Sequence, residues 1–172
     1  GDTNSGGMAA GMTTLKAVTK LKRAITPYYL QYNPKFETSS AKELREELRA
    51  HPQVVGAIDR LWTSITGYGK FLMYTGFIEK DPYVLLSIQI QKAVMEPDVF
   101  DEDVARRTAE DEWITDSVDI NGVRRVDHSA FHKALFELAD IWTPEISAAT
   151  YSAFLWKLTQ RITTLRVVVY EG

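Results

Sequence analysis

The chain contains no cysteine, which removes disulfides, thiolate zinc sites and a cysteine nucleophile from consideration. A reducing intracellular compartment is compatible with that absence. No apolar run is long enough to span a bilayer, and no glycine-rich loop follows a strand, so nucleotide chemistry has no motif to rest on. Excess charge of one sign is also missing: Lys and Arg total 20 against 23 Asp and Glu, and the net charge of −3 gives no electrostatic case for binding nucleic acid. With 172 residues and 45% hydrophobic content, the chain is long enough for one compact domain with a full core.

Helical patterning dominates. Over Pro52 to Ile65, the residues Val54, Ile58, Leu61, Trp62 and Ile65 fall on one face of an amphipathic helix. Asp81-Pro82 reads as a cap followed by a first-turn proline, and Leu86, Ile90 and Val94 continue a stripe until Met95-Glu-Pro97-Asp breaks it. Asp101 is expected to cap a helix running to about Trp113. Phe131, Ala134, Leu135, Leu138, Ala139 and Trp142 then form the most regular stripe in the chain. Thr143-Pro144-Glu145 repeats the cap-and-proline signature. It should open a last helix bearing Ile146, Ala149, Ala153, Phe154, Leu158, Ile162 and Leu165 on one face, with Tyr151, Leu155 and Trp156 on others. A helix apolar over so much of its circumference is usually buried between neighbours. The alternative is that Tyr151 and Trp156 belong to a partner surface. Val167-Val-Val-Tyr170 is expected to be a short strand or docking tail.

Between the stripes lie two stretches that share a spacing. Asp119-Ile-Asn121-Gly122 places oxygen donors at alternate positions before a turn glycine, and Val126, Asp127 and Phe131 follow. Upstream, Gly76, Ile78 and Tyr83 set a glycine, an apolar residue two later and an aromatic seven later. Over roughly Pro52 to Trp142, this pattern resembles the paired helix-loop-helix units of the EF-hand superfamily.

The resemblance implies an all-α fold: paired EF-hand-like units with extra N- and C-terminal helices and at most a tiny two-stranded bridge, formed at Ile78 and Val126. It also implies that the ligands are mostly lost. In the second loop Ser117 takes the first ligand position, and two extra residues after Gly122 bring Val126 to the apolar position. Ala130 then stands where the bidentate glutamate belongs. In the first loop Phe71, Met73, Thr75 and Pro82 occupy ligand positions and can hold no ion. A second frame, from Asp116 to Asp127, restores carboxylates at both ends but displaces the glycine. Asp-x-Asn-Gly is also ordinary turn chemistry, since Asn and Gly tolerate left-handed backbone. If no ion binds, Arg124 or Arg125 is expected to pair with Asp116, Asp119 or Asp127 and relieve their repulsion.

The N-terminal part is organised separately. Residues 1–11 are rich in Gly, Ser and Ala, read as disordered or as a remnant of cloning, and carry no signal-peptide pattern. Residues 12–51 form a helical extension. Leu15, Val18, Leu21 and Ile25 lie at helical spacing among Lys16, Lys20, Lys22 and Arg23, a basic face that could meet an anionic surface or simply face water. Thr26-Pro27 ends that helix, an aromatic connector runs from Tyr28 to Phe36, and Ser40-Ala-Lys-Glu43 is a capping box opening the helix of Leu44 and Leu48. Residues 52–142 hold the helix-loop-helix pair and 143–172 a C-terminal helix packed on it.

Catalytic signals are weak. His128 and His132 are one helical turn apart, yet no intervening glutamate or evident third ligand completes a zinc site. Carboxylate pairs such as Glu110/Asp111 and Asp101/Asp103 sit beside arginines or in a first helical turn, where they complement the helix dipole. The expectation is a non-enzymatic interaction or structural module without cofactor, cytoplasmic, with a protein partner such as an amphipathic helix or a cytoskeletal component. Partner-binding candidates are Tyr151, Trp156, Lys16, Lys20 and Arg23. The alternative is a calcium-responsive protein using only the second loop, with Asp116, Asp119, Asn121 and Asp127 as ligands.

Overall fold

The computed structural model describes residues 37–67 and 76–170, with 66–67 and 163–170 described by backbone alone. The basic helix with Lys16, Lys20 and Arg23, the aromatic connector and the first-loop positions Phe71, Met73 and Thr75 lie outside the described residues. Among those described, the fold is all-α with one two-stranded antiparallel sheet. The helices are α1 (Ser39–Arg49), α2 (Pro52–Gly67), α3 (Lys80–Val94), α4 (Glu102–Asp116), α5 (His128–Trp142) and α6 (Ala148–Tyr170), and the strands are β1 (Val118–Ile120) and β2 (Val123–Arg125). No described helix is long and apolar enough to cross a membrane.

Two helix-loop-helix units, α2/α3 and α4/α5, pack so that the entering helix of one lies on the exit helix of the other: α2 on α5, and α3 on α4. Helix α6 lies across α2, α3 and α5, and its pairing with α2 is the most extensive among the described helices. The apolar stripe of α2 is buried as expected: Val54, Ala57, Ile58, Leu61 and Ile65 face inward. Tyr151, Leu155, Leu158 and Ile162 of α6 join Phe131, Leu135, Phe136 and Ala139 of α5 in the same core. Each such Leu or Ile side chain contributes about 1.5–3 kcal/mol through burial alone.

Polar contacts fix how these helices meet. Gln91 is buried on α3, and its Nε2 donates to the Ala105 carbonyl of α4 at 3.0 Å and to Ser87 Oγ at 3.3 Å. The Arg161 guanidinium of α6 donates to the Ala93 carbonyl at the end of α3 at 2.5 Å. Asp140 of α5 accepts from the Tyr151 hydroxyl of α6, and the Arg45 guanidinium of α1 pairs with the same carboxylate at 3.3 Å.

Several boundaries differ from expectation, each for a local reason. Helix α1 is capped by Thr38, whose Oγ1 accepts from Ala41 N at 3.2 Å, two residues before the expected capping box at Ser40. Helix α3 starts at Lys80, so Pro82 is its third residue; first-turn N–H groups have no intrahelical acceptor, and proline loses nothing there. Asp101 caps α4 as expected, accepting from Val104 N at 2.9 Å, but the helix continues to Asp116. Thr143 does not open α6: its hydroxyl turns back to donate to the Ala139 carbonyl, and Ser147 accepts from Thr150 N at 3.1 Å instead. The backbone at Val167 to Tyr170 is helical, neither strand nor separate tail.

Candidate functional site

The second loop is a β-hairpin. Asn121 and Gly122 have φ of 55° and 82°, the left-handed pair that a two-residue type I′ turn requires and that Asn-Gly adopts most readily. The strands pair Val118 with Arg125, Asp119 with Arg124 and Ile120 with Val123. Asp119 Oδ1 accepts from Gly122 N at 2.8 Å, closing the turn on itself. The two residues that the ligand-loop spacing treated as an insertion are thus part of the second strand. Immediately after it, Val126 pairs with Ile78 through reciprocal backbone bonds of 2.8 and 2.9 Å. Both residues are buried, and this is the bridge expected from the spacing.

Arg124 takes a different partner from the one expected. Its Nη1 donates to the Ile114 carbonyl at 3.0 Å, to the Ser117 carbonyl at 3.2 Å and to Ser117 Oγ at 3.0 Å. Ser117 Oγ in turn donates to the Trp113 carbonyl at 2.5 Å. The last carbonyls of a helix lack intrahelical donors and carry the negative end of its dipole, so a guanidinium placed there satisfies both needs. Arg125 lies over the Phe77 ring, 5.3 Å from its centroid. Among the described residues neither arginine forms an ion pair with Asp116, Asp119 or Asp127, which corrects the expected charge replacement.

The four candidate calcium ligands are dispersed among separate tasks. Asp119 holds the turn, and Asn121 is exposed at its tip. Asp127 caps α5, accepting from Ala130 N at 2.7 Å. Asp116 Oδ2 accepts from the Tyr83 hydroxyl at 2.6 Å, across the α3/α4 contact. Among the described residues no three His, Asp or Glu side chains are grouped to hold a metal ion.

Around Tyr83 the electrostatics are unusual. Burial, followed by the charge of Asp116, pushes the phenol well above its ordinary range and keeps it a donor. Burial also raises Asp116, against the Tyr83 hydrogen bond and Lys133, which lower it. Crowding by surrounding protein, with Asp116 and Asp111 beside it, pushes Glu112 up to about 7; its side chain keeps an exposed surface, which moderates that rise. These groups join helices; Tyr83 also packs on Trp113 with ring centroids 5.1 Å apart.

The remaining candidates separate clearly. Tyr151, expected as a partner contact, is fully buried with its hydroxyl on Asp140 and its ring against Phe136, so it belongs to the core. The apolar face of α6 is rotated from the expected one: Leu155 is buried while Ala149 and Ala153 are exposed. Trp156 is 40% exposed, and Arg60 of α2 stacks 4.2 Å above its ring. His128 Nε2 lies 2.7 Å from Asp59 Oδ1 of α2, with its ring against Trp62 at 5.3 Å. Burial chiefly lowers the His132 pKa, His128 and Arg49 adding to the effect and Asp59 opposing it.

One grouping was not anticipated: Lys92, Lys157 and Arg161 converge on a cleft of about 680 Å³ between the end of α3 and α6. The one-turn spacing of Lys157 and Arg161 was visible, but Lys92 is remote in the chain. Compared with known proteins, the chain matches no family model, no curated protein and no solved structure.

Proposed function

We propose that this chain is a non-enzymatic protein-interaction or structural module on an EF-hand-like scaffold that works without calcium control. The observation that carries this reading is the hairpin in place of a ligand loop: Asp119 closes its own turn and Arg124 puts a fixed positive charge on the carbonyls ending α4. A cation entering here would have to displace protein donors from Asp116, Asp119 and Asp127, and would meet the guanidinium. The reciprocal Ile78–Val126 bridge and the crossed packing of the two units support the EF-hand kinship. Helix α6 already fills the space between α2, α3 and α5, so a protein partner would meet outer surfaces of the module and not that groove.

Calorimetric titration with calcium tests the reading. The expected result is no saturable heat; affinity in the sensor range of about 10⁻⁷ to 10⁻⁵ M would overturn it and favour the second-loop calcium alternative.

A further inference from the structure

The cleft at the end of α3 gathers more positive charge than the fold around it accounts for. Lys92 lies in the last turn of α3, and Lys157 and Arg161 lie one turn apart on α6. Arg161 is fixed by its bond to the Ala93 carbonyl, and both it and Lys92 complement the negative end of the α3 dipole. Lys157 has no such explanation. Among the described residues neither lysine forms an ion pair, and Glu96 is the one carboxylate lining the cleft. The rest of the lining is different in kind: Val94, Met95 and Phe100 are half-buried and add apolar surface beside the three cations.

We infer that this cleft is a docking site for an acidic peptide segment of a protein partner, in which carboxylates flank an apolar or aromatic side chain. Charge complementarity identifies the occupant. Three cations lining one cleft call for several negative groups, and the apolar part of the lining calls for a side chain that phosphate or a bare carboxylate lacks. A protein of net charge −3 repels a long polyanion such as nucleic acid, whereas a short acidic segment meets only the local positive field. A flat anionic bilayer cannot enter a concave site between two helices. The inference rests on the interaction-module reading above and gives it a surface and a partner chemistry.

A peptide-display selection against the full chain, run in excess chelator, tests it. The selected pool should be enriched in Asp and Glu flanking an apolar or aromatic residue. Selected peptides should bind Lys92→Glu/Lys157→Glu about tenfold or more weakly than the wild type, and wild-type binding should weaken as salt rises. Both lysines are exposed, and an unchanged thermal midpoint shows the variant to be folded. If the midpoint falls, Lys92→Gln and Lys157→Gln tested singly should still each weaken binding. An empty selection, a pool without acidic enrichment, or equal binding by the charge-reversed variant would overturn the proposal. So would flotation of the chain with phosphatidylserine vesicles when no acidic peptide binds. Because calcium is chelated throughout, a calcium-binding hairpin would defeat the proposed function and leave this result readable.

Discussion

The two helix-loop-helix units meet at one symmetric bridge yet are stabilised in different ways. The first brings apolar mass: α2 buries Val54, Ala57, Ile58, Leu61 and Ile65 and receives α6 along its length. The second has a leaner entering helix: α4 buries only Ala105, Ala109 and Trp113, and the large apolar residues of that unit come from α5. Around α4 the second unit also carries local polar devices: the closed Asn-Gly turn, Arg124 on the end of α4, and Asp127 on the start of α5. The first exit helix, α3, has Glu79 at its N-cap position and no side-chain cap bond there. Equivalent entering helices of a shared architecture can thus differ widely in the apolar surface they bury.

The largest expected effect tests the burial half. Leu61→Ala should cost about 2–5 kcal/mol in urea unfolding, while Ile114→Ala on α4, 65% exposed in the wild type, should stay within about 0.5 kcal/mol. Similar losses at the two sites would erase the distinction. Next in size is the turn: Gly122 has φ of 82°, and Gly122→Ala should lose about 1–2 kcal/mol from left-handed strain. Gly56→Ala should do the reverse. That glycine is in mid-helix with nothing within 4 Å of an added Cβ, so alanine should gain about 0.5–1 kcal/mol.

The caps come third. Asp127→Ala should lose about 1 kcal/mol, and Glu79→Asp should gain several tenths by supplying the cap that α3 lacks. An equal loss from Glu79→Ala and Asp127→Ala in thermal melts would contradict the asymmetry. The smallest effect concerns pH. Glu112 is raised from an ordinary 4.5 to about 7, so folding favours its protonated form. Its contribution is complete below about 4.5 and is lost as pH rises through 7. Glu112→Gln should therefore flatten that part of the stability profile, by less than about 1 kcal/mol because the side chain meets water. Parallel profiles for the two proteins would refute the assignment.

What the sequence made legible was local or periodic. Asp101 was readable as a cap because a cap and the N–H it satisfies lie three residues apart. The stripe of α2 was readable because Val54, Ile58, Leu61 and Ile65 are large and strictly spaced, and Ile78 and Val126 because each holds a fixed distance from turn or aromatic residues. The hairpin was partly legible. Asn-Gly between Val118, Ile120 and Val123 is itself a hairpin signal, but the donor spacing of a ligand loop competed for the same residues. The rotation of α6 was obscured by alanine: Ala149 and Ala153 count as apolar in a stripe, yet bury too little to decide which face turns inward. Val167 to Tyr170 shows the weakness of β-branched propensity once a helix is already propagating. The partners of Arg124 and the meeting of Lys92 with Lys157 depend on three-dimensional approach, which no spacing encodes.

Asp140 links parts of the chain that are far apart in sequence. It forms an ion pair with Arg45 of α1 and accepts from the Tyr151 hydroxyl of α6, while itself belonging to α5. One carboxylate of α5 thus ties α1 and α6 to the same point, in addition to the larger apolar contact of α6 with α2. A shift of either helix at this point would be felt by the other, because α1 and α6 meet the same carboxylate.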